Sequence, residues 1–271
     1  MEDAHIAYSM ESNIHIKVII LAGGLGTRIR CIIGDSPKAM ARIGGVPLLE
    51  WTIRRLREQG MLNIDIHVWY QSEVIVRHFG DGGSFGVKIQ YHFLPLDGTA
   101  TVVKSIVKDW RGLVLVIYGD IFTDMDLLAL VEFHVKRKAV ATIGLYRAVD
   151  PRQCGIVDVN SDERVISFVE KPVGLSEGPA LANCGIYVLS REFIDEMPGG
   201  VAWDFGYNIF PEAVKRERQV YGFQVPRDVV LIDIGTPANY ALARRPESLA
   251  GFQITQQREK SDAISASSHE A

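Results

Sequence analysis

The stretch Ile16-Lys17-Val18-Ile19-Ile20-Leu21-Ala22-Gly23-Gly24-Leu25-Gly26-Thr27-Arg28, followed closely by Pro37-Lys38, decides how the rest of the chain is read. A branched apolar run without alternation, stopped by glycines, is the pattern of a strand buried on both faces of a parallel sheet. Gly23, Gly24 and Gly26 then predict a bare loop, free to take positive φ and to press its N–H groups against something bulky. Arg28 adds a planar fork of donors and Lys38 a point-like cation, and both suit phosphate oxygens. The spacing is neither G-x-G-x-x-G nor a P-loop closed by G-K-[ST], and a strand running into Gly-Gly-x-Gly is also common in α/β proteins that hold no phosphate there.

Outward from this loop, Leu48, Leu49, Ile53 and Leu56 recur at helical spacing between Pro47 and Gly60, which fit a first turn and a C-terminal stop. Strands are expected at Ile64–Tyr70, Val87–Phe93 and Leu113–Tyr118, with helices at Ser72–Phe79 and Thr99–Trp110 between them. This alternation predicts an α/β fold: a doubly wound, mostly parallel, Rossmann-like sheet whose ligands lie beyond the carboxyl ends of its strands. From Ala139 the rhythm changes. Val140–Tyr146, Gly155–Val159, Val165–Val169 and Cys184–Leu189 read as strands with few helices between them, a mixed β extension suited to a second substrate. Tyr207–Arg216 reads as a helix, Val220–Val225 and Val229–Ile234 as strands, and Pro237–Ala243 as the start of a helix.

No internal repeat or linker divides the chain. Residues 1–15 are expected to form a flexible arm, 16–245 one domain, and 246–271, polar and Ser-rich at its end, a partly disordered tail. With 271 residues, 47% hydrophobic and 23% charged, the composition is that of a soluble globular chain. A net charge of −4 offers no basic footprint for nucleic acid, so a bound anion needs a local pocket. Neither a signal-peptide core nor an apolar run of membrane-spanning length is present, and a cytoplasmic location is expected. Cys31, Cys154 and Cys184 are widely spaced and expected as buried or half-buried free thiols.

Leu21-Ala22-Gly23-Gly24-Leu25-Gly26-Thr27-Arg28-Ile29 with Pro37-Lys38, then Ile43-Gly44-Gly45-Val46-Pro47-Leu48, resembles the signature of the sugar-1-phosphate nucleotidyltransferases, or nucleotide-sugar pyrophosphorylases. Further segments match in order from about Lys17 to Ala243. Pro95-Leu96-Asp97-Gly98-Thr99-Ala100 resembles the family's base-contacting segment, although the usual upstream acid is absent and Thr101 stands where glycine is common. Phe168-Val169-Glu170-Lys171-Pro172 resembles F-x-E-K-P, Asn183-Cys184-Gly185-Ile186-Tyr187 resembles N-x-G-I-Y, and Asp233-Ile234-Gly235-Thr236-Pro237 resembles D-I-G-T-P. Trp203-Asp204-Phe205 and Ile209-Phe210-Pro211 resemble the acidic turn and F-P that follow, with Asn208 where an acid is common.

The resemblance implies a GT-A-like nucleotidyltransferase fold and an enzyme that joins an NTP to a sugar-1-phosphate, or a sugar-like cyclitol phosphate, releasing pyrophosphate. Arg28, Lys38, Asp120 and Lys171 are implied as catalytic. Leu21, Ala22, Gly23, Gly24, Gly26, Thr27, Pro95, Gly98 and Thr99 are implied at the nucleotide, and Gly155, Glu170, Lys171 and Asn183 at the sugar phosphate. Asp120 and Asp233 are the implied carboxylates for Mg²⁺. Leu25-Gly26-Thr27-Arg28-Ile29-Arg30, Leu48-Leu49-Glu50 and the single short domain look like the guanylyltransferases for heptose-, mannose- or cyclitol-type phosphates, which implies GTP. The β-helix that some relatives append is not expected, and self-association is left open.

Each feature has a plainer reading beside the functional one. Thr99 could be an N-cap, Asp120 the cap of a following element, and Glu170-Lys171-Pro172 a surface turn. Asp124-Met125-Asp126 could hold a metal, as D-x-D does in glycosyltransferases, or could be acids at a helix start. The competing classes are a GT-A glycosyltransferase and a non-catalytic nucleotide-sugar-sensing regulatory subunit.

Overall fold

The computed structural model describes residues 15–148, 150–174, 178–200 and 202–250. Its parallel core is four strands, β1 (Ile16–Leu21), β4 (Asn63–Val68), β5 (Lys88–Phe93) and β6 (Leu113–Tyr118). They lie side by side in the order β6-β1-β4-β5, with all three pairings parallel. The chain steps from β1 outward to β4 and β5, then returns to the other side of β1 for β6. The order therefore reverses between β1 and β6, the switch point where ligands of doubly wound sheets bind.

The first strand shows why its sequence lacks alternation. Val18 and Ile20 enter the apolar cluster on one sheet face while Ile19 enters the cluster on the other, and all three are at most 2% exposed. Full burial of such a side chain contributes roughly 1.5–3 kcal/mol, so both faces must be covered. On the first face lie α2 (Leu48–Glu58), α3 (Ser72–Phe79) and α5 (Leu127–Arg137); on the second, α4 (Thr99–Ile106), α6 (Arg191–Glu196) and α7 (Phe210–Lys215).

The remaining strands build the expected mixed extension. Strand β11 (Ala180–Leu189) runs antiparallel to β6 and, on its other side, to β8 (Ala141–Ala148). β9 (Gly155–Val159) also pairs with β11 and forms an antiparallel pair with β10 (Val165–Glu170), and β12 (Val220–Gln224) runs parallel to β8. Register breaks between Asn183 and Tyr187, where Gly185 takes φ 77° against the Tyr118 ring. Two small ribbons stand apart from this sheet: β2 (Arg42–Ile43) with β3 (Val46–Pro47), and β7 (Ile121–Thr123) with β13 (Leu231–Asp233). A third apolar cluster under them joins Ile29, Leu48, Trp51, Phe122, Ile234 and Tyr240, beside α1 (Arg30–Ile33) and α8 (Pro237–Ala243).

Several boundaries differ from the sequence expectation. The helix from Thr99 ends at Ile106, because Val107 to Asp109 turn out of it. The helix expected at Tyr207–Arg216 starts earlier, as a π-turn over Phe205–Ile209 whose N-terminus Asp204 caps. Cys31 is exposed rather than buried, Cys154 half-buried and Cys184 buried; all three are free thiols. The expected N-terminal arm, apart from residue 15, lies outside the described residues, as do residues 251–271. Of the expected tail, 246–250 are helical, and Leu249 packs on Gly44. Among the described residues no helix is long and apolar enough to cross a membrane.

Candidate active site

The loop after β1 is anchored where it leaves the sheet. Ala22 N–H donates to the His67 carbonyl at 2.9 Å, and Gly119 N–H donates to the Leu21 carbonyl at 2.9 Å. Only Gly26 of the three loop glycines takes positive φ, at 61°. Its missing Cβ leaves room for Lys38, whose Cβ would otherwise lie 3.1 Å away. Gly23 is required for a different reason: a Cβ there would sit 2.5 Å from the His67 ring. Gly24 has open space in front of it and is exposed.

Two acids meet beside this loop. Strand β13 pairs antiparallel with β7 so that Asp233 faces Ile121, and Ile234 N–H donates to the Asp120 carbonyl at 3.0 Å. The Lys38 ammonium lies between the two carboxylates, 2.5 Å from Asp120 Oδ2 and 3.5 Å from Asp233 Oδ1. Asp233 Oδ1 also accepts from Gly235 N–H at 2.7 Å. A Cβ on Gly235 would meet Arg28 Nη2, Asp233 Oδ1 and Lys38 Nζ within 2.9 Å, so glycine is what lets three charged groups converge. Desolvation raises the Asp233 carboxyl above its ordinary pKa, Asp120 raises it further by like-charge repulsion, and Lys38 opposes both.

The cleft at this point has two lobes that share Tyr118 and Asp120 as a common wall. The first, about 260 Å³, is lined by Leu21, Gly23, Gly24, Gly98 and Thr99 from the expected nucleotide set, and by His67, Leu96 and Asp204 in addition. The second, about 180 Å³, is lined by Gly155, Glu170, Lys171 and Asn183 together with Arg28 and Asp233, and also by Tyr146 and Cys154. Ala22, Gly26, Thr27, Pro95 and Lys38 line neither lobe; Lys38 reaches the cleft only through its contacts with Asp120 and Asp233 behind the shared wall.

In the first lobe Thr99 is a structural hub rather than an N-cap. Its hydroxyl donates to Asp204 Oδ2 at 2.8 Å and accepts from Phe205 N–H at 3.1 Å and from the Tyr118 hydroxyl at 3.2 Å. The N-cap is Gly98, at φ 89°, pressed against the Trp203 carbonyl with no room for a Cβ. That carbonyl accepts from Ala100 and Thr101 N–H, so the first amides of α4 are already paired. His67, 3% exposed, donates from Nε2 to the Leu94 carbonyl at 2.8 Å, and burial lowers its pKa. The neutral ring thereby ties the end of β5 to the glycine loop.

In the second lobe Glu170 is packed between Gly155 and Gly206, each of which would place a Cβ 2.5 Å from Oε2. Burial raises its pKa and the Lys171 charge opposes the rise. Lys171, at φ 46°, turns its ammonium to the Tyr207 hydroxyl at 3.2 Å and to Glu170 Oε1 at 3.4 Å. Asn183 shares its amide between the lobe and the strand irregularity: Oδ1 accepts from Gly185 N–H at 2.9 Å and Nδ2 donates to Tyr187 at 2.8 Å. One lone pair and one N–H remain for a ligand.

The D-x-D does not converge. Asp124 accepts from Val230 N–H at 2.8 Å and Asp126 caps α5 through Ala129 N–H at 3.0 Å. Both carboxylates therefore serve the backbone; the helix-start reading holds for Asp126, the N-cap of α5, whereas Asp124 instead fastens the segment before β13. Among the described residues no group of three or more His, Cys, Asp or Glu could hold a metal. Lining residues that the motifs do not mark include His67, Tyr118, Tyr146 and Cys154. Their only advance signal is position, since His67 and Tyr118 fall at the carboxyl ends of core strands.

A two-lobed cleft at the switch point of a doubly wound sheet is the architecture of an α/β enzyme that handles a nucleotide beside a second substrate. The profile of the Nucleotidyl transferase family matches residues 17–246, and the chain belongs to that family. It is similar to the D-glycero-alpha-D-manno-heptose 1-phosphate guanylyltransferase of Campylobacter jejuni, 33% identical over 227 residues that make up 83% of this chain and 97% of the relative. It is also similar to the mannose-1-phosphate guanylyltransferase of Mycobacterium tuberculosis, 30% identical over 231 residues covering 83% of this chain; the match spans only 62% of that longer protein. The crystal structure of HddC from Yersinia pseudotuberculosis complexed with GMP-PN superposes with a TM-score of 0.71 at 28% identity, covering 84% of this chain and 97% of that one. The GT-A-like fold and the family are those that the sequence motifs imply.

Proposed function

We propose that the protein transfers a nucleotidyl group from an NTP to a sugar-1-phosphate, giving an NDP-sugar and pyrophosphate. The observation that carries this reading is the shared wall of the two lobes. A nucleotide whose base lies between Gly98 and Leu96 directs its phosphates along Gly23 and Gly24 toward Asp120, where the second lobe opens. The α-phosphorus and the sugar phosphate then meet at that wall.

The attacking oxygen belongs to a phosphate already ionised near neutral pH, so the reaction needs no general base. It needs charge compensation and alignment. Arg28 and Lys38 draw the leaving pyrophosphate, Lys171 draws the sugar phosphate, and Glu170 and Asn183 bind sugar hydroxyls. Tyr207 steadies Lys171. Two hard carboxylates that repel one another, next to a phosphate path, fit Mg²⁺, which favours one or two carboxylates plus substrate oxygens. Held by Asp120 and Asp233, it would neutralise charge on the phosphates. In-line displacement inverts the configuration at the α-phosphorus.

GTP with a heptose-, mannose- or cyclitol-type phosphate is the favoured pair, supported by the similarity to guanylyltransferases for heptose and mannose phosphates. The free thiols suit a reducing cytoplasm, where nucleoside triphosphates are kept. A panel of four NTPs against several sugar-1-phosphates with Mg²⁺, read by pyrophosphate release, tests the whole reading. Release of nucleoside diphosphate in place of pyrophosphate, or no turnover with any pair, refutes it.

A further inference from the structure

We propose that Lys38 is a built-in counterion, which holds Asp120 and Asp233 in the free enzyme and must pass to nucleotide phosphate before a divalent cation can bind them. Metal and nucleotide then enter as a coupled pair. The inference rests on the reading of those aspartates as the metal carboxylates, given under Proposed function.

The position of the ammonium is built, not incidental. Lys38 lies in a short turn closed by Met40 N–H to the Pro37 carbonyl and by Ala41 N–H to the Lys38 carbonyl, at 2.8 and 3.1 Å. Its side chain is only 12% exposed, whereas Asp233 is 43% exposed toward the cleft. Gly26 abuts its Cβ and Gly235 its ammonium, so two glycines shape the channel it occupies. At its end the ammonium reaches both carboxylates, at 2.5 and 3.5 Å.

An ammonium and a divalent cation compete at those carboxylates, because they are like charges drawn to the same acceptors. With Arg28 beside them, a metal added to the free site would bring the positive charges to four against two carboxylates. A triphosphate reverses that balance and offers the flexible Lys38 stem a new partner. By linkage, the factor by which nucleotide tightens metal equals the factor by which metal tightens nucleotide.

The test uses Mn²⁺ alone on the nucleotide-free full chain, with free ion followed by electron paramagnetic resonance. Wild type, Lys38→Met, Lys38→Gln, Lys38→Arg and the double variant Lys38→Met/Asp233→Asn are compared. The neutral variants bind Mn²⁺ at least roughly tenfold tighter than wild type, within the usual span of coupling factors. Lys38→Arg stays weak, because its charge is kept, and the double variant loses the gain. Equal binding by wild type and both neutral variants overturns the proposal, and so does an Arg variant as tight as Lys38→Met, since packing rather than charge then sets the affinity. Should no neutral variant bind Mn²⁺, or the double variant keep the gain, the metal assignment beneath the proposal fails with it.

Discussion

The main-chain oxygen of Asp120 accepts the N–H of Ile234 at 3.0 Å, and this one bond sets the two acids of the cleft side by side. It continues the short β7–β13 ladder, so the carboxylate pair is fixed by backbone register rather than by side-chain rotamers. Removing one charge there leaves the ribbon intact. Asp120→Asn is therefore expected to keep the fold, with a lowered melting temperature because Lys38 loses its nearest counterion, and to lose on the order of a hundredfold or more in kcat, the scale of deleting one preorganised electrostatic group. Pyrophosphate release beside thermal melting checks both halves; near-normal turnover removes Asp120 from the chemistry.

Gly23 and His67 make a second pair that can be tested as a unit. A methyl at Gly23 would stand 2.5 Å from the imidazole, whose Nε2 is committed to the Leu94 carbonyl. Gly23→Ala must push the ring, and with it the end of β5, out of place. Overpacking of this kind costs about 1–3 kcal/mol. The expected result is a raised KM for NTP with little change in KM for the sugar phosphate, and recovery of most of the loss in Gly23→Ala/His67→Ala. Strict additivity of the two single variants in that cycle rejects the coupling.

How much of this could be read from the chain follows from where the information lies. β1 and β6 were legible because burial on both faces leaves an unbroken apolar run. The start of β11 was not: Gly185 interrupts its register, so the continuation of the strand back through Ala180–Asn183 is cut off from the apolar run that marks the rest. Motif residues on one loop, such as Gly23 to Arg28, were visible since their spacing is local. The partner of Lys38 was not, because its contact with Asp120 depends on how the loop after β1 and the carboxyl end of β6 come together across the sheet. Likewise His67 and Tyr118 acquire their places only when β4 and β6 come to flank β1 at one edge of the sheet.

Lys171 is steadied from outside the motif that contains it. Tyr207, on the π-turn, offers its hydroxyl at 3.2 Å and its ring face at 5.2 Å. A neutral hydroxyl on a charged donor is worth roughly 1.5–3 kcal/mol at most, and less where solvent reaches it. Tyr207→Phe keeps the ring and loses the hydroxyl. KM for the sugar phosphate should rise a few-fold while KM for NTP holds, whereas Lys171→Ala should raise it far more. Steady-state kinetics with each substrate varied in turn separates these outcomes, and an equal effect on both KM values would show that the turn, not Lys171, had moved.

His134 supplies a pH dependence remote from the cleft. It is 2% exposed on α5, with Nδ1 2.9 Å from the Thr142 hydroxyl, and burial holds its pKa down to about 4 against an ordinary value of 6.5. Above pH 6.5 the ring is neutral folded and unfolded, and it makes no pH-dependent contribution. Between pH 6.5 and about 4 the unfolded chain takes up a proton that the folded chain refuses, so stability falls as pH falls and levels off below that window. The full loss is on the order of 3 kcal/mol. His134→Gln, which retains a polar partner for Thr142 but cannot charge, should unfold in urea with a shallower decline between pH 7 and pH 4.5 than wild type. The difference between the two proteins isolates this ring from every carboxylate that titrates over the same range, and parallel declines would mean that His134 is protonated within the fold.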